Sequence, residues 1–482
     1  MQGEKQYQEK LFLSFQLSER IPIDNFYRRL KGILDLSFIS KKTSSYYGEE
    51  GQKSIDPVVF FKLMLIGYIE NLNSDRKIIE HASMRMDMLY FIGYDIDESL
   101  PWHSTLSRTK KLYGEELFLE VFRKVLSLSA NQGMIDGRHQ AVDSAYIKAN
   151  ASLEKIVPKK SIDDAANFLK KLSDNEEEAK QEKKQKTSKK NSDWTSPSDP
   201  DARMSKKGNK PCQLNYTGQI SVDTSSHIIC GAMADFADKR DAQSLSKITD
   251  QTIENLEREG LNVEEVLADT NYSSGEALRY LESKNIGGYI PSYGPYKPQR
   301  DGFEYNIEGD YYICSNGKKL PFKKILDRKA KGMGKEYWSS RKDCKNCPLN
   351  EKCIGKGKFK SLLDTIDKPY YDRMHKRVKT KKGKQMRILR SSTVEPVLGT
   401  LLNFLGMRKV NTKGIELANK HVLLASTAYN IKKLLKFKPI NNAISKVKTA
   451  IKEQKHQIIQ SFYDSSNKIY STAFQKLRVV QL

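Results

Sequence analysis

The chain has 482 residues and a formal net charge of +24 at pH 7, with 83 lysines and arginines against 59 acidic residues. An excess of this size favours a polyanionic partner, most simply nucleic acid, over a merely soluble basic protein. We expect no secretory signal, and the longest apolar run, 58–69, is too short and too interrupted to span a membrane. Six cysteines do not make a disulfide framework in a chain of this length, so we expect a reducing, DNA-containing cytoplasm.

The first 133 residues are predicted to be mostly helical. Asp56 is a candidate N-cap and Pro57 a first helical residue before an apolar run, and a second helix is predicted to begin at Ser74. Ser104 is predicted to cap a third, basic helix. Short helices joined by tight turns fit a helix-turn-helix DNA reader, and they also fit an ordinary helical bundle with a solvated basic face. The candidate DNA contacts in this region are Arg76, Lys77, His103 and Arg108.

After Gly133 the pattern changes to strands, interrupted by one charged segment. Residues 173–200 are nearly free of aliphatic side chains and are predicted to form a mobile or helical insertion. A strand at 140–147 and a hairpin within 216–234 are followed by alternating helices and strands. This order predicts a mixed sheet with helices packed on it.

Three acidic residues are candidates for a catalytic site. Asp143 lies among apolar residues of the first predicted strand, and Asp269 ends a later apolar run. Because ligands gather at strand ends in open α/β sheets, the two carboxylates could face one another and share a hard cation such as Mg²⁺. Glu395 is predicted to lie in the first turn of a helix that Thr393 caps and that tolerates Pro396 there. Each acidic residue also fits an ordinary capping or first-turn role.

The sequence resembles the bacterial insertion-sequence transposases that carry a DDE catalytic triad on an RNase H-like, retroviral-integrase-like core. The resemblance rests on the order and joint presence of segments that are each weak alone: VDSAYIKANAS, VLADTNYSSGEALRYLESKNIGGYIP, STVEPVLGTLLNFLGMRKV and STAYNIKKLL, with SIDPVVFFKLMLIGYIENLNSDRKIIEH and LPWHSTLSRTK in the N-terminal part. It implies an α/β fold in which helices flank an RNase H-like mixed sheet, with an all-α N-terminal DNA-binding region and a Cys-containing insertion. It also implies a bacterial, nucleoid-associated location.

The resemblance carries the catalytic triad over to Asp143, Asp269 and Glu395, which would hold two Mg²⁺ or Mn²⁺ ions. The implied reaction is metal-dependent cleavage of DNA at the ends of the element, followed by attack of the freed 3′-hydroxyl on target DNA. The implied partners are the element's terminal repeats and target DNA. Action on two ends implies at least a homodimer.

One departure from the family pattern leaves alternatives open. Relatives usually have a lysine one or two turns after the glutamate, where this chain has Leu402; either Arg408 or Lys409 takes its place, or DNA contact is weaker there. Glu416 is the alternative third carboxylate, although it lacks the surrounding VEP and Gly context. The alternative functions are a DNA-binding protein of the same fold that has lost catalysis, and an RNase H-like nuclease without strand transfer.

Four cysteines in the second half of the chain are candidate zinc ligands: Cys314, Cys344, Cys347 and Cys353. C-x₂-C is the usual knuckle of a structural Zn²⁺ site, and four thiolates complete a tetrahedral site. His375 is an alternative fourth ligand, and a set of reduced loop cysteines is the alternative without metal. Cys212 and Cys230 are expected to be lone, buried residues.

A basic strip, residues 372–390, runs directly into the predicted Glu395 helix. Its charge density predicts contacts to DNA backbone phosphates without base specificity, with a solvated loop as the alternative. The candidate DNA contacts in and after the strip are Arg377, Lys379, Lys381, Lys382, Arg387, Arg390 and Arg408.

The sequence predicts five parts along the chain. They are a helical DNA-binding domain at 1–133, the first part of the core at 134–296 with a charged insertion at about 151–212, a Cys-rich basic insertion at 297–386, core helices carrying Glu395 at 387–437, and a basic C-terminal helical tail at 438–482.

Overall fold

The computed structural model describes residues 14–48, 50, 54–72, 74–159, 189–206, 211–294, 296–328 and 332–437. The predicted C-terminal tail and residues 160–188 of the predicted charged insertion lie outside the described residues. None of the helices in the described ranges is long and apolar enough to cross a membrane.

The N-terminal region is helical, as the sequence predicts. Its helices are α1 (Leu17–Arg20), α2 (Phe26–Ile33), α3 (Phe38–Thr43), α4 (Pro57–Ile69), α5 (Asp75–Ser83), α6 (Met86–Ile92), α7 (His103–Leu112) and α8 (Glu115–Asn131). Asp56 caps α4 by accepting a hydrogen bond from the amide of Val58 at 2.7 Å, and Pro57 is its first residue. Ser74 caps α5 in the same way, through the amide of Lys77. Both predicted helix starts are therefore confirmed.

The predicted cap of the basic helix is wrong. Helix α7 begins at His103, directly after Trp102, whose backbone is extended. The Ser104 hydroxyl lies inside the helix and accepts a hydrogen bond from Arg108 at 3.1 Å, so it is not free to cap the first turn.

The central sheet follows the N-terminal helices. Its elements are β1 (His139–Lys148), β4 (Arg203–Ser205), β5 (Gln213–Asp223), β6 (Ile229–Phe236), α9 (Asp241–Glu257), β7 (Glu265–Leu267), α10 (Gly275–Ser283) and β8 (Gly287–Tyr289), while β2 (Val157–Pro158) and β3 (Trp194–Thr195) pair only with each other. Strand β5 pairs antiparallel with β1, β4 and β6. Strand β7 lies parallel between β1 and β8. The order β6-β5-β1-β7-β8 confirms the predicted mixed sheet with flanking helices.

A second sheet forms in the Cys-containing insertion. Its elements are β9 (Phe303–Asn306), β10 (Tyr311–Cys314), β11 (Lys319–Asp327), β12 (Met333–Trp338), α11 (Arg341–Lys345), α12 (Asn350–Ile354) and β13 (Ser361–Thr365). The five strands are antiparallel, in the order β13-β12-β11-β10-β9. Their core is small, with four buried residues: Tyr312, Leu320, Tyr337 and Leu362.

Three helices complete the described chain: α13 (Lys368–Lys379), α14 (Lys381–Phe404) and α15 (Ile415–Lys436). Helix α14 packs against β1, and α15 packs against β6, α4 and α8. One continuous hydrophobic core therefore joins the N-terminal helices to the sheet and to the last two helices.

The predicted start of the Glu395 helix is wrong. Thr380, not Thr393, caps α14, because its hydroxyl accepts a hydrogen bond from the amide of Gly383 at 3.0 Å. Thr393 is fully buried, and Pro396 lies in the helix interior. A proline there costs about 3 kcal/mol. The helix continues through it because the predicted apolar stripe is buried against the core; its members are Val394, Leu398, Leu401 and Leu405. Glu395 therefore gains nothing from a helix N-terminus.

Candidate active site

Asp143 lies in the middle of β1, opposite Ile220 of β5. Its side chain is 18% exposed. Burial raises the pKa of this carboxyl, while a hydrogen bond from the Ser144 amide at 2.7 Å and the charge of Arg390 act against that rise. The negative charge of Asp269 raises the pKa of Asp143 further.

Asp269 reaches the same place from the neighbouring strand. Leu267, the last residue of β7, is paired with Ala141, so two further residues bring Asp269 level with Asp143. Its side chain accepts hydrogen bonds from the backbone and side-chain nitrogens of Asn271, at 2.9 and 3.1 Å. Asp269 thus has the turn-capping role that its sequence also fits, at the end of a strand beside the first carboxylate.

The two aspartates line one open cavity of about 710 Å³, which we call the carboxylate cleft; its acidic lining residues are Asp143, Asp238, Asp241 and Asp269. The exposed residues Lys206 and Arg240 also line it. The cleft therefore combines half-buried carboxylates with basic side chains that are open to solvent.

Glu395 lies beside this cleft through its contact with Arg390. The Arg390 guanidinium donates from Nη1 to Asp143 Oδ2 at 2.9 Å and from Nη2 to Glu395 Oε1 at 3.1 Å. The Arg390 side chain is 14% exposed, whereas that of Glu395 is 59% exposed. The three carboxylates predicted from the sequence are thus brought to one region of the molecule.

The donor set suits a hard divalent cation, because carboxylate oxygens are the ligands that Mg²⁺ and Mn²⁺ prefer. The guanidinium of Arg390 already bridges two of these carboxylates as a positive charge. In the described part of the chain, no three His, Cys, Asp or Glu side chains are placed to hold a metal ion together. A cation bound by Asp143 and Glu395 would therefore have to share their oxygens with Arg390 or displace it.

Asp241 is a cleft residue that the sequence analysis missed. It is the first residue of α9, and its carboxylate accepts hydrogen bonds from Ser144 Oγ at 2.7 Å and Gln219 Nε2 at 3.1 Å. The available signal was an aspartate at the start of a predicted helix that directly follows the third strand. Its link to Ser144 ties α9 to the strand that carries Asp143.

The expected replacement for the family lysine is not in the cleft. Leu402 is partly buried against the core. The backbone of Arg408 bonds to Lys148, at the far end of β1, and Lys409 lines a different cavity. The alternative carboxylate, Glu416, also lies away from the cleft lining and pairs with Lys420 at 2.5 Å.

That second cavity, which we call the basic cavity, has a volume of about 560 Å³ and lies between α5, α7, α15 and the loop 406–412. Its charged and imidazole-bearing lining residues are Asp75, Arg76, His103, Lys110, Lys409, Lys420 and His421. Two of the four N-terminal DNA-contact candidates therefore line it. The other two, Lys77 and Arg108, are exposed on the same helices, α5 and α7.

The DNA-contact candidates of the basic strip fall into two groups. Four have protein partners: Arg377 donates to the Gly288 carbonyl at 3.2 Å, Lys382 pairs with Glu265, Arg390 pairs with two carboxylates, and Arg408 donates to Asn403. The other three side chains are exposed: Lys379, Lys381 and Arg387.

The four candidate zinc ligands line one small cavity of about 30 Å³, and none of them is in a disulfide. Cys344 Sγ lies 3.0 Å from Ser339 Oγ, and Cys347 Sγ accepts a hydrogen bond from Asn316 Nδ2 at 3.6 Å. His375, the alternative ligand, lies on α13 with its ring 5.4 Å from that of Tyr296.

The other two cysteines differ in burial. Cys230 is buried as expected, whereas Cys212 is exposed, because it follows β4 on the approach to β5 rather than lying inside the sheet.

Two parts of the chain match known protein families. The family described as Transposase domain (DUF772) matches residues 15–112, and the family described as Transposase DDE domain matches residues 313–435. The second match contains Glu395 and the four cysteines, and Asp143 and Asp269 lie outside it. A search of proteins with curated functions gave no significant match.

Two solved structures match this chain at low similarity. A piggyBac transposase synaptic complex with hairpin DNA is 11% identical with a TM-score of 0.30, over 87% of this chain and 76% of that chain. A Mos1 transposase paired-end complex with the left transposon end is 11% identical with a TM-score of 0.16, over 54% of this chain and 67% of that chain. In their order along the sequence, the two family matches identify a DUF772 transposase domain followed by a transposase DDE domain in this chain.

Proposed function

We propose that this protein is an active transposase that cleaves DNA at the ends of an insertion sequence and joins the freed strand to target DNA. The observation that carries the proposal is the meeting of Asp143 and Glu395 through Arg390, with Asp269 level with Asp143 on the next strand. These residues are more than a hundred positions apart in the sequence; Asp143 and Asp269 line the cleft, and Glu395 is linked to Asp143 through Arg390.

The three carboxylates are proposed to hold two Mg²⁺ or Mn²⁺ ions. When bound, such ions polarise the scissile phosphate and favour ionisation of the attacking oxygen. Asp143, fixed in the middle of a paired strand, would supply the most rigid ligand, and the exposed Glu395 the most adjustable one. Asp269 would complete the set from the strand end.

The bonds that form and break are those of two successive phosphoryl transfers. In the first, a water oxygen attacks the phosphorus and loses a proton to solvent, while the P–O3′ bond breaks and O3′ takes up a proton to become a free hydroxyl. In the second, the oxygen of this 3′-hydroxyl attacks a target phosphorus and loses its proton, while a target P–O3′ bond breaks and the target O3′ takes up a proton. The protein needs no covalent link to DNA in either step, because it acts by positioning and by charge.

DNA is proposed to bind across the basic side chains around the cleft and, at the element ends, on the N-terminal helices. The exposed residues Lys206 and Arg240 beside the cleft are suited to backbone phosphates. Two copies of the protein are proposed to act together, because both ends of an element must be processed. We propose residues 1–133 as the end-binding domain, and 134–296 with 387–437 as the catalytic core.

One experiment distinguishes this function from its rivals. Purified protein is incubated with a labelled element-end duplex, a target plasmid and Mg²⁺. Joined products support the transposase, nicks alone support a nuclease without strand transfer, and a shifted but intact duplex supports a DNA-binding protein that has lost catalysis.

We also propose that Cys314, Cys344, Cys347 and Cys353 bind one structural Zn²⁺. Four free thiols around one small cavity support the proposal, and among the described residues the core of the insertion's sheet has four buried hydrophobic residues to stabilise it. Because no three of these thiols are yet placed to hold a metal together, binding requires the thiols to move closer and Cys344 and Cys347 to exchange their present hydrogen bonds for the metal.

Zinc content measured by mass spectrometry tests this second proposal. We expect one zinc per chain in the wild type and at least a large part of it lost in Cys344→Ser. The control is Cys212→Ser, because Cys212 is exposed and does not line the cavity. Wild-type protein that contains no zinc after growth in zinc-supplemented medium would contradict the proposal.

A further inference from the structure

Arg390 is placed differently from the other basic residues at the start of α14. The side chains of Lys381, Lys384 and Arg387 are exposed, whereas that of Arg390 is 14% exposed. Its two terminal nitrogens do not bind one carboxylate in a parallel fork. They bind two carboxylates that come from different elements, Asp143 on β1 and Glu395 on its own helix.

This geometry gives Arg390 a structural role whenever divalent ions are scarce. Two carboxylates brought together without a cation repel each other, and the mostly buried Asp143 has little water to stabilise its charge. The guanidinium supplies one positive charge between them and holds both side chains in place.

The same geometry makes Arg390 a competitor of a bound metal. The oxygens that Arg390 occupies, Asp143 Oδ2 and Glu395 Oε1, belong to carboxylates that the proposed metal site uses. A guanidinium a few ångströms from a divalent cation is repelled by it, and the repulsion is strong where water is partly excluded. Arg390 and the metal therefore compete for these oxygens.

When a metal displaces Arg390 from the two carboxylates, a DNA phosphate can become its new partner. A guanidinium binds phosphate through the same two-pronged donor pattern that it uses for carboxylates. The arginine side chain has several rotatable bonds, and it lies beside a cleft with exposed basic residues.

We propose that Arg390 is a positioning residue that bridges Asp143 and Glu395 when no divalent ion is bound, and that transfers to a DNA backbone phosphate when metal binds. Metal binding and DNA binding then favour each other. A bound phosphate draws Arg390 away from the carboxylates that the metal uses, and a bound metal frees Arg390 to bind phosphate. This inference rests on the proposed metal site, and its test is chosen so that the two can fail separately.

The test measures Mn²⁺ affinity of the full chain by electron paramagnetic resonance, in which free Mn²⁺ gives the signal. Without DNA, we expect Arg390→Gln to bind Mn²⁺ about tenfold more tightly than the wild type, since a competing cation is gone. Addition of an uncleavable end duplex should tighten Mn²⁺ binding in the wild type and have much less effect in Arg390→Gln.

Two further variants separate charge from other effects. Arg138→Gln removes a similar guanidinium that pairs with Asp136 just before β1, and it should leave Mn²⁺ affinity unchanged. Arg390→Lys keeps the positive charge, so its affinity for Mn²⁺ without DNA should stay close to that of the wild type. It also serves as the test variant, with reduced coupling to DNA expected, if Arg390→Gln does not fold by circular dichroism.

Unchanged or weaker Mn²⁺ binding by a folded Arg390→Gln protein would overturn the inference. Asp143→Asn is measured alongside and should bind Mn²⁺ more weakly than the wild type. If Asp143→Asn weakens binding and Arg390→Gln does not strengthen it, the inference alone fails. If Asp143→Asn has no effect, the proposed metal site is wrong as well.

Discussion

The carboxylate cleft and the basic cavity lie at different points along β1 and balance their charges in different ways. Asp143 faces the cleft from the middle of the strand, and the loop that lines the basic cavity bonds to Lys148 at its end, about 17 Å away along the strand. In the cleft, one guanidinium serves two carboxylates. In the basic cavity, Lys110 and Lys420 each have an acidic partner.

This difference indicates the sign of the charge that a ligand of each cavity should carry. The cleft concentrates half-buried carboxylates that a divalent cation would neutralise better than one arginine does. The basic cavity neutralises its inner lysines within the protein and leaves Arg76 and Lys409 exposed at its surface. One region is thus suited to metal and the other to phosphate.

The largest effect is expected from Asp143→Asn. This change keeps the side-chain shape and removes the charge. It should lower the rate of end cleavage about 10³-fold or more, because loss of one member of a catalytic unit disables the whole unit. End-duplex binding should remain within a few-fold of the wild type, since the basic residues are untouched. The measurement is cleavage of a labelled duplex with Mg²⁺, alongside a gel-shift assay.

The matched control is Asp136→Asn, an exposed aspartate just before the same strand. It should cleave at the wild-type rate. Cleavage by Asp143→Asn at a comparable rate would remove the cleft from the mechanism and leave the two cavities without different roles.

The next effect concerns His421, which lines the basic cavity. Its Nδ1 lies 2.7 Å from Tyr68 Oη, and burial, helped by the charge of Lys110, lowers its pKa from 6.5 to about 4. The folded protein therefore holds this imidazole neutral, while the unfolded chain protonates it near pH 6.5. Its contribution to stability is present above pH 6.5 and is lost as the pH falls toward 4, with a total of about 3 kcal/mol.

Urea unfolding of the wild type and His421→Gln at pH 7.5 and pH 4.5 measures this contribution. The wild type should lose more stability on acidification than the variant by most of that amount. His81→Gln, a change at an exposed histidine, should behave like the wild type. Equal losses in the wild type and His421→Gln would mean that His421 is charged in the fold and adds to the positive charge of the cavity.

The sequence was sufficient where local pattern and burial agree. Asp56 with Pro57 marks the start of α4, and the succession of strands and helices along the chain was predictable from the apolar runs and helical patterns. The apolar stripe of α14 was also predictable, and its burial packs the helix that carries Glu395 against β1. These features depend on neighbours in sequence or on a single buried face.

The sequence was insufficient where distant contacts decide. The cap at Thr393 was wrong because packing of the stripe keeps the helix intact through Pro396. The pairing of Arg390 with Asp143 joins residues 247 positions apart, so no local pattern announces it. The insertion sheet was missed because its longest strand, β11, is mostly exposed and lacks the alternation of a half-buried strand.

The smallest effect is expected in the basic cavity, from Lys409→Gln and Arg76→Gln. Both side chains are exposed, and each change removes one positive charge that is available to a DNA phosphate. Each should weaken end-duplex binding about three- to tenfold at 0.1 M salt and reduce the slope of log affinity against log salt by about 1. Fluorescence anisotropy across a salt series measures both quantities, with Arg138→Gln as the control.

The slope of log affinity against log salt is more informative than the affinity itself, because it reports how many DNA phosphates the protein neutralises. A loss of affinity with an unchanged slope would mean that the variants disturb the fold of the 406–412 loop rather than a phosphate contact. The double variant distinguishes the two cases further: two independent phosphate contacts lower the slope by about 2, whereas residues that share one phosphate lower it by about 1. Lys409 forms an isolated parallel bridge with Lys148, the last residue of the strand that carries Asp143. An unchanged slope in every variant would therefore mean that DNA does not pass over the basic cavity, even though the cavity is joined to that strand.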